Sequence, residues 1–204
     1  MNKKLIAMLS ALSLCVTMTA CTNKNEDTSI TSTNLATTAN SLLSKSTKKV
    51  ETIGDIDTYI KLSDDNTTVN GKGVKVEKNI ITINTAGTYS ISGTLSDGQI
   101  IVNTNKEEKT YILLDGVDVT CKNSSPLQIL SSEKTVIALG DNSENKISDG
   151  KSYDESENNP DAAIFSKEDL VFIGTGSLEV NGNYDKGIVS KDDLIIENGN
   201  ISVK

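Results

Sequence analysis

The stretch "IFSKEDLVFIGTGSLEVNG", Ile164 to Gly182, is followed almost at once by "IVSKDDLIIENGNISVK", Ile188 to Lys204. Aligned, Asp161 falls on Asp185, Ile164 on Ile188 and Ser166 on Ser190, while Lys167, Glu168 and Asp169 fall on Lys191, Asp192 and Asp193. The same frame runs backward. Glu133, Lys134 and Thr135 lie over Glu168, Asp169 and Leu170, and Glu108, Lys109 and Thr110 lie over Glu133, Lys134 and Thr135. The first and last intervals are each roughly two dozen residues, the period of a solenoid. The middle interval is longer and carries the extra stretch "SDGKSYDESENNPD". A unit this short cannot bury an apolar face by itself, so it must stack on its neighbours.

The units read as short strands. "IITI" at Ile80, "QIIVN" at Gln99, "TYILL" at Thr110, "TVIAL" at Thr135, "DLVFI" at Asp169 and "DLIIE" at Asp193 are aliphatic runs bounded by Gly, Asn and Asp. From about Ile80 onward no convincing 3.6-residue period appears, so the fold class is all-β. Each unit is expected to make roughly three short strands that pair in parallel with the next unit, placing matched residues about 4.8 Å apart. Ile112, Leu114, Ile137, Leu139, Val171, Ile173 and Ile195 are expected to line the interior, and Tyr89, Tyr111, Phe165 and Phe172 to be packed. The turns "DG", "GTG" and "ENGN" supply Gly and Asn where the backbone needs positive φ. A Greek-key sandwich also has short strands and turn signals, but it does not demand aligned residues at a fixed period.

The N-terminus reads as an address. Lys3 and Lys4 precede an apolar run from Leu5 to Met18, followed by Thr19, Ala20 and Cys21. A basic start, a short apolar run and a small residue before the cut make a secretory signal, and the run is too short for a comfortable membrane span. Small residues before Cys21 resemble a bacterial lipobox, with Cys21 lipidated, although Met18 stands where Leu is usual. The alternative is a plain signal peptide that happens to contain Cys21. The organisation expected is a signal over residues 1–20, a flexible tether over 21–50 and a binding domain over 51–204. The tether is rich in Ser, Thr, Asn and Lys and has too little apolar area to offset its ordering entropy. The chain would sit on the extracellular face of a bacterial membrane. The remaining thiol, Cys121, reads as a packed strand residue.

Composition removes several classes of chemistry. The chain has 204 residues, a net charge of -8 and no His. Every cationic side chain is Lys, so nothing builds a basic patch or an Arg fork for nucleic acid. Ser-His-Asp and Cys-His mechanisms are excluded. Acids, amides, hydroxyls and Lys remain, a set suited to hard cations such as calcium.

The phrases "GTYSISGTLSDGQIIVNT", "YILLDGVDVT" and "DAAIFSKEDLVFIGTGSLEVNGNYDKGIVSKDDLIIENGNISV" resemble a bacterial family of secreted carbohydrate-binding proteins. The resemblance covers Ile80 to Lys204 and brings no catalytic motif. It implies a right-handed parallel β-helix related in shape to pectate lyases, with binding of cellulose and acidic plant polysaccharides and with bound calcium. Members of that family continue for further rungs, so the β-helix here is expected to be partial.

The stacked acids are the candidate metal site. Asp161 over Asp185 and Asp169 over Asp193 would set like charges one strand spacing apart, and calcium would turn that repulsion into a site. A solvated acidic edge, neutralised by Lys167 and Lys191, is the plainer alternative. For carbohydrate, Tyr153 and Tyr184 are the stacking candidates, and Lys167 and Lys191 the candidate polar contacts. An acidic polymer would need calcium to bridge carboxylates from both sides, whereas a neutral glucan could hydrogen-bond to a flat polar sheet face. Three functions stand: a non-catalytic surface lipoprotein that binds polysaccharide, a structural spacer or adhesin, and a polysaccharide lyase. A lyase needs a singular base beside its acids, and Lys167 and Lys191 obey the repeat instead.

Overall fold

The computed structural model describes residues 50–204. The signal over residues 1–20, Cys21 and the tether up to Lys49 lie outside the described residues. Sixteen strands and no helix make up the described part. β1 (Thr58–Leu62), β2 (Thr68–Asn70) and β3 (Val74–Glu77) come first, then β4 (Ile80–Ile83) and the long β5 (Thr88–Leu95). Next are β6 (Gln99–Asn103) and the longer β7 (Lys109–Cys121). Two full turns follow: β8 (Leu127–Ser131), β9 (Lys134–Leu139) and β10 (Glu144–Asp149), then β11 (Ala162–Ser166), β12 (Asp169–Gly174) and β13 (Ser177–Asn181). β14 (Lys186–Ser190), β15 (Leu194–Ile196) and β16 (Asn200–Val203) close the series.

The strands fall into three columns, visited in the same order on every turn. One column runs β4, β6, β8, β11, β14. The second runs β1, β5, β7, β9, β12, β15. The third runs through the second halves of β5 and β7, then β10, β13 and β16. All these pairings are parallel. β5 and β7 serve two columns each because they turn the corner without a break, at the register shift between Ile91 and Gly93. The register reproduces the alignment read from the repeat: Ile164 meets Ile188, Asp169 meets Lys134, and Lys109 meets Lys134.

Alternation along each strand makes an apolar interior. Ile112, Ile137 and Phe172 stack in one row. Val119, Ile147 and Val180 stack in another. All six are fully buried. Each such side chain contributes about 1.5–3 kcal/mol, against about 0–1 kcal/mol for an exposed ion pair, so the interior stack holds the coil together.

The structure corrects part of the expected interior. Ile112, Leu114, Ile137 and Leu139 do face inward, but Val171, Ile173 and Ile195 do not. In register Phe172 continues the inward row of Ile137, so its neighbours Val171 and Ile173 point outward. There they join Val136 and Ala138 in a second apolar cluster on the outer face of the second column. An all-aliphatic run gives no alternation to choose a face by, which is why the sequence misled here. The segment at residues 50–56 covers this patch as a strap. Ile53 packs on it, the Glu51 carboxylate accepts a hydrogen bond from Lys109 Nζ at 2.8 Å, and the Tyr111 hydroxyl donates to it at 3.4 Å. Three strands before Ile80 also went unread. β1 joins the second column in parallel, while β2 and β3 pair antiparallel with β1 and β4 and fold over that end.

Candidate functional site

The corner between the second and third columns is built on glycine. Gly93 and Gly174 have φ of 96° and 100°, and a Cβ on Gly174 would lie 2.2 Å from the Leu139 carbonyl oxygen. These residues let the chain fold sharply and lay the third column flat. Buried Asn145 fixes the same corner. Its Oδ1 accepts from the Gly116 and Val117 amides at 3.1 and 3.0 Å, and its Nδ2 donates to Ser143 Oγ and to the Ser177 carbonyl.

Because Val119, Ile147 and Val180 point inward, their neighbours on the third column point out, and all are polar. Asp118, Lys146, Glu179 and Ser202 form one outward row, in register across four rungs. Glu144, Ser177 and Asn200 form the row beside it. Thr120, Ser148 and Asn181 form the next. The first two rows line an open trough of about 470 Å³. Asn181 Nδ2 links the rows by donating to Ser148 Oγ and to Glu179 Oε1, both at 3.0 Å. The Lys204 ammonium and then Asn181 hold the Glu179 carboxyl below its ordinary value, so it is ionised at neutral pH. The trough thus offers carboxylates, an ammonium, amides and hydroxyls on a flat ladder. Its long direction crosses the strands, and rungs repeat about every 4.8 Å.

The residues expected to hold calcium are brought together by the fold, but with lysines between them. Lys186 Nζ contacts Asp161 Oδ2 at 3.0 Å and also the Asp185 carboxylate, and Lys191 Nζ lies 3.6 Å from Asp161. Burial raises the Asp161 carboxyl, but Lys186 and Lys191 outweigh it and hold it below its ordinary value. Asp169 lies 3.6 Å from Lys134 Nζ and accepts a hydrogen bond from the Asp193 amide. Among the described residues no group of three or more acidic or Cys side chains converges on one point. A divalent ion on either column would have to displace an ammonium, so the residues do not fit the metal as they stand.

Lys167 donates to Asn158 at 2.9 Å, and Lys191 sits 5.5 Å over the Phe165 ring, so both are engaged within the chain. Phe165 is buried on the outer side of β11 and Phe172 in the interior. Tyr153 and Tyr184, far apart in sequence, stack on each other. Cys121 is buried, and burial pushes its thiol up, away from the reactive thiolate. The trough residues were missed because each looks like an ordinary exposed strand position. The usable signal was the alternation in "VDVT" and "LEVN", with "NKIS" at the equivalent point of the repeat between them and Asn145 in an inward position.

Comparison with known proteins bears on what this surface does. The family model of carbohydrate-binding domain-containing proteins matches residues 77–204. A carbohydrate-binding domain-containing protein of Acetivibrio thermocellus is 39% identical over 155 residues, 74% of this chain and 54% of that protein. The chain therefore spans about half the length of that relative. A solved structure of a polysaccharide lyase-like protein from C. thermocellum, a gadolinium derivative, superposes with a TM-score of 0.70 at 37% identity. The match covers 72% of this chain and 61% of that one. An all-β, parallel-sheet chain with a polar ladder on one face thus belongs to the family of carbohydrate-binding domain-containing proteins.

Proposed function

We propose that the chain is a non-catalytic polysaccharide-binding module on a right-handed parallel β-helix, and that the trough on the third column is its binding surface. The observation that carries this reading is the outward ladder Asp118, Lys146, Glu179 and Ser202 with its flanking row Glu144, Ser177 and Asn200. Carboxylates and amides spaced at a strand repeat can take successive hydroxyls of an extended glycan lying across the strands. The absence of His and Arg from the sequence supports binding over lyase chemistry. A lyase base would break the repeat, and the trough obeys it.

The charge balance favours a neutral glucan such as cellulose over polygalacturonate. Asp118, Glu144 and Glu179 outnumber Lys146 and the Lys204 that pairs with Glu179, and the chain carries -8 overall, so a polyuronate meets net repulsion. Calcium bridging is the route by which the acidic polymer would still bind, and it would have to overcome the lysine pairing of Asp161, Asp169 and Asp185.

The test is a pull-down of the full chain on cellulose and on polygalacturonate, each with calcium and with a chelator, alongside Lys146→Ala and Glu179→Gln. We expect cellulose to retain the protein regardless of chelator, and each substitution to weaken retention about tenfold, the loss of one charge-assisted hydrogen bond. Retention by cellulose with both substitutions silent would move the site off the trough. Retention by polygalacturonate that a chelator abolishes would restore the Asp columns as the site.

A further inference from the structure

The insertion after β10 builds a second feature, at the corner where the third column turns into the first. Asp149 ends β10 with only 3% of its surface exposed. Its Oδ2 accepts the Tyr153 hydroxyl at 2.8 Å. Its Oδ1 accepts the Asn183 amide, and its carbonyl accepts Asn183 Nδ2 at 2.7 Å. One buried carboxylate thus ties the insertion to the corner of the next rung. The insertion is also tied to the rung before, where the Asp154 amide donates to the Asn123 carbonyl at 2.8 Å. The outcome is a two-ring stack: Tyr153 and Tyr184 have centroids 4.3 Å apart and planes 16° from parallel. Tyr153 is the inner ring. Tyr184 is the outer one and is 46% exposed, with one face covered by its partner. Burial, then the bond to Asp149, raises the Tyr153 hydroxyl and keeps it protonated.

A half-exposed Tyr on a bare loop costs side-chain ordering when it binds a ligand. Here that ordering is already met by the stack beneath it. A flat ring with a fixed plane suits the C–H face of a pyranose, and the corner adjoins the Ser148–Asn181 row of the polar face.

We propose that this corner is a ring-stacking sugar subsite in which Tyr184 presents its free face to a neutral pyranose, and that Asp149 is the positioning residue that fixes the platform through Tyr153 and Asn183. This rests on the carbohydrate reading of the neighbouring face, yet it adds a contact of different chemistry: stacking instead of hydrogen bonding.

The experiment measures binding of soluble cello-oligosaccharides to the full chain by calorimetry, with tyrosine difference absorbance as a second readout. The chain contains five Tyr and no Trp, so a ring stacking on Tyr184 perturbs a signal with little background. Expected are about tenfold weaker binding for Tyr184→Ala, little change in affinity for Tyr184→Phe, and loss of the tyrosine difference signal in both variants. Asp149→Leu keeps roughly the side chain's size but leaves both the Asn183 N–H and the Tyr153 hydroxyl without an acceptor. It should weaken binding in the wild-type background and have no further effect on affinity in Tyr184→Ala, whereas a merely structural role would lower both backgrounds alike. Binding unchanged in Tyr184→Ala, with Lys146→Ala weakened, would overturn the subsite and leave the trough standing. No binding by the wild-type chain would overturn both.

Discussion

Single residues decide where this chain can turn. Gly174 has φ of 100° and passes the Leu139 carbonyl so closely that a Cβ would meet it at 2.2 Å. Gly174→Ala adds both a positive-φ penalty and a backbone clash, so we expect a loss of about 1–3 kcal/mol, read as a fall in Tm by thermal denaturation. The contrast is Gly116→Ala, also at positive φ but with nothing within 4 Å of the added Cβ, which should cost less. Equal losses at the two sites would remove the clash from the argument. These glycines were legible in the sequence as turn residues in "DG" and "GTG". Their difference was not, because it depends on which backbone passes behind them. Tyr153 and Tyr184 teach a similar lesson. Both were chosen as aromatics in loop-like sequence, and nothing in the sequence brings together two rings that the insertion and the next corner place face to face.

At the scale of elements, the strap at residues 50–56 shows how an outer face is closed. Glu51 bonds Lys109, lies near Lys134 and receives the Tyr111 hydroxyl, while Ile53 covers the apolar patch. The bond to Lys109 lowers the Glu51 carboxyl below its ordinary value of 4.5, against the opposing effect of burial. A lowered folded value means the contribution is fully present above about pH 4.5 and is lost as pH falls through the folded value. The partner behaves oppositely: Lys109 is raised by its bond to Glu51, so its share is present below 10.5 and lost as pH rises through the folded value. We therefore expect Glu51→Gln to lower Tm at pH 7 and to lower it by less at pH 3, below the ordinary value of 4.5, with faster amide exchange in the strap. An identical Tm shift at both pH values would mean the carboxylate charge is not what docks it. The repeat made one strand of most turns from Ile80 onward readable, and the register of the aligned residues with it, but not β8, β10, β13 and β16 as separate strands. It said nothing of β1 to β3 or the strap, which do not repeat.

For the molecule as a whole, the three columns have three different outer faces. The second is apolar and covered by the strap, the first is bordered by the lysine-paired Asp161 and Asp185 just ahead of β11 and β14, and the third is the open polar ladder. The third presents carboxylates, an ammonium and a hydroxyl in register across four rungs, which is why the trough and not the Asp columns carries the binding proposal. Cell-surface attachment is a separate proposal, supported by the signal and by Cys21 in the sequence. Cys21→Ser is expected to move the protein from the detergent phase to the aqueous phase on Triton partitioning of expressing cells, with glycan binding unchanged. Detergent partitioning that persists in Cys21→Ser would point to another anchor.

The strands also differ in what lies beside them. β2 and β3 run antiparallel to β1 and β4, so a rung inserted ahead of β1 meets strands of the wrong polarity. Among the later strands every pairing is parallel and keeps one register. Duplication of β11 to β13 is therefore tolerated within the coil: the copy inherits its interior partners, its glycine corner and another set of outward polar residues, so the trough lengthens by one sugar-scale step without repacking its neighbours. Such a ladder can acquire longer ligands by simple tandem copying.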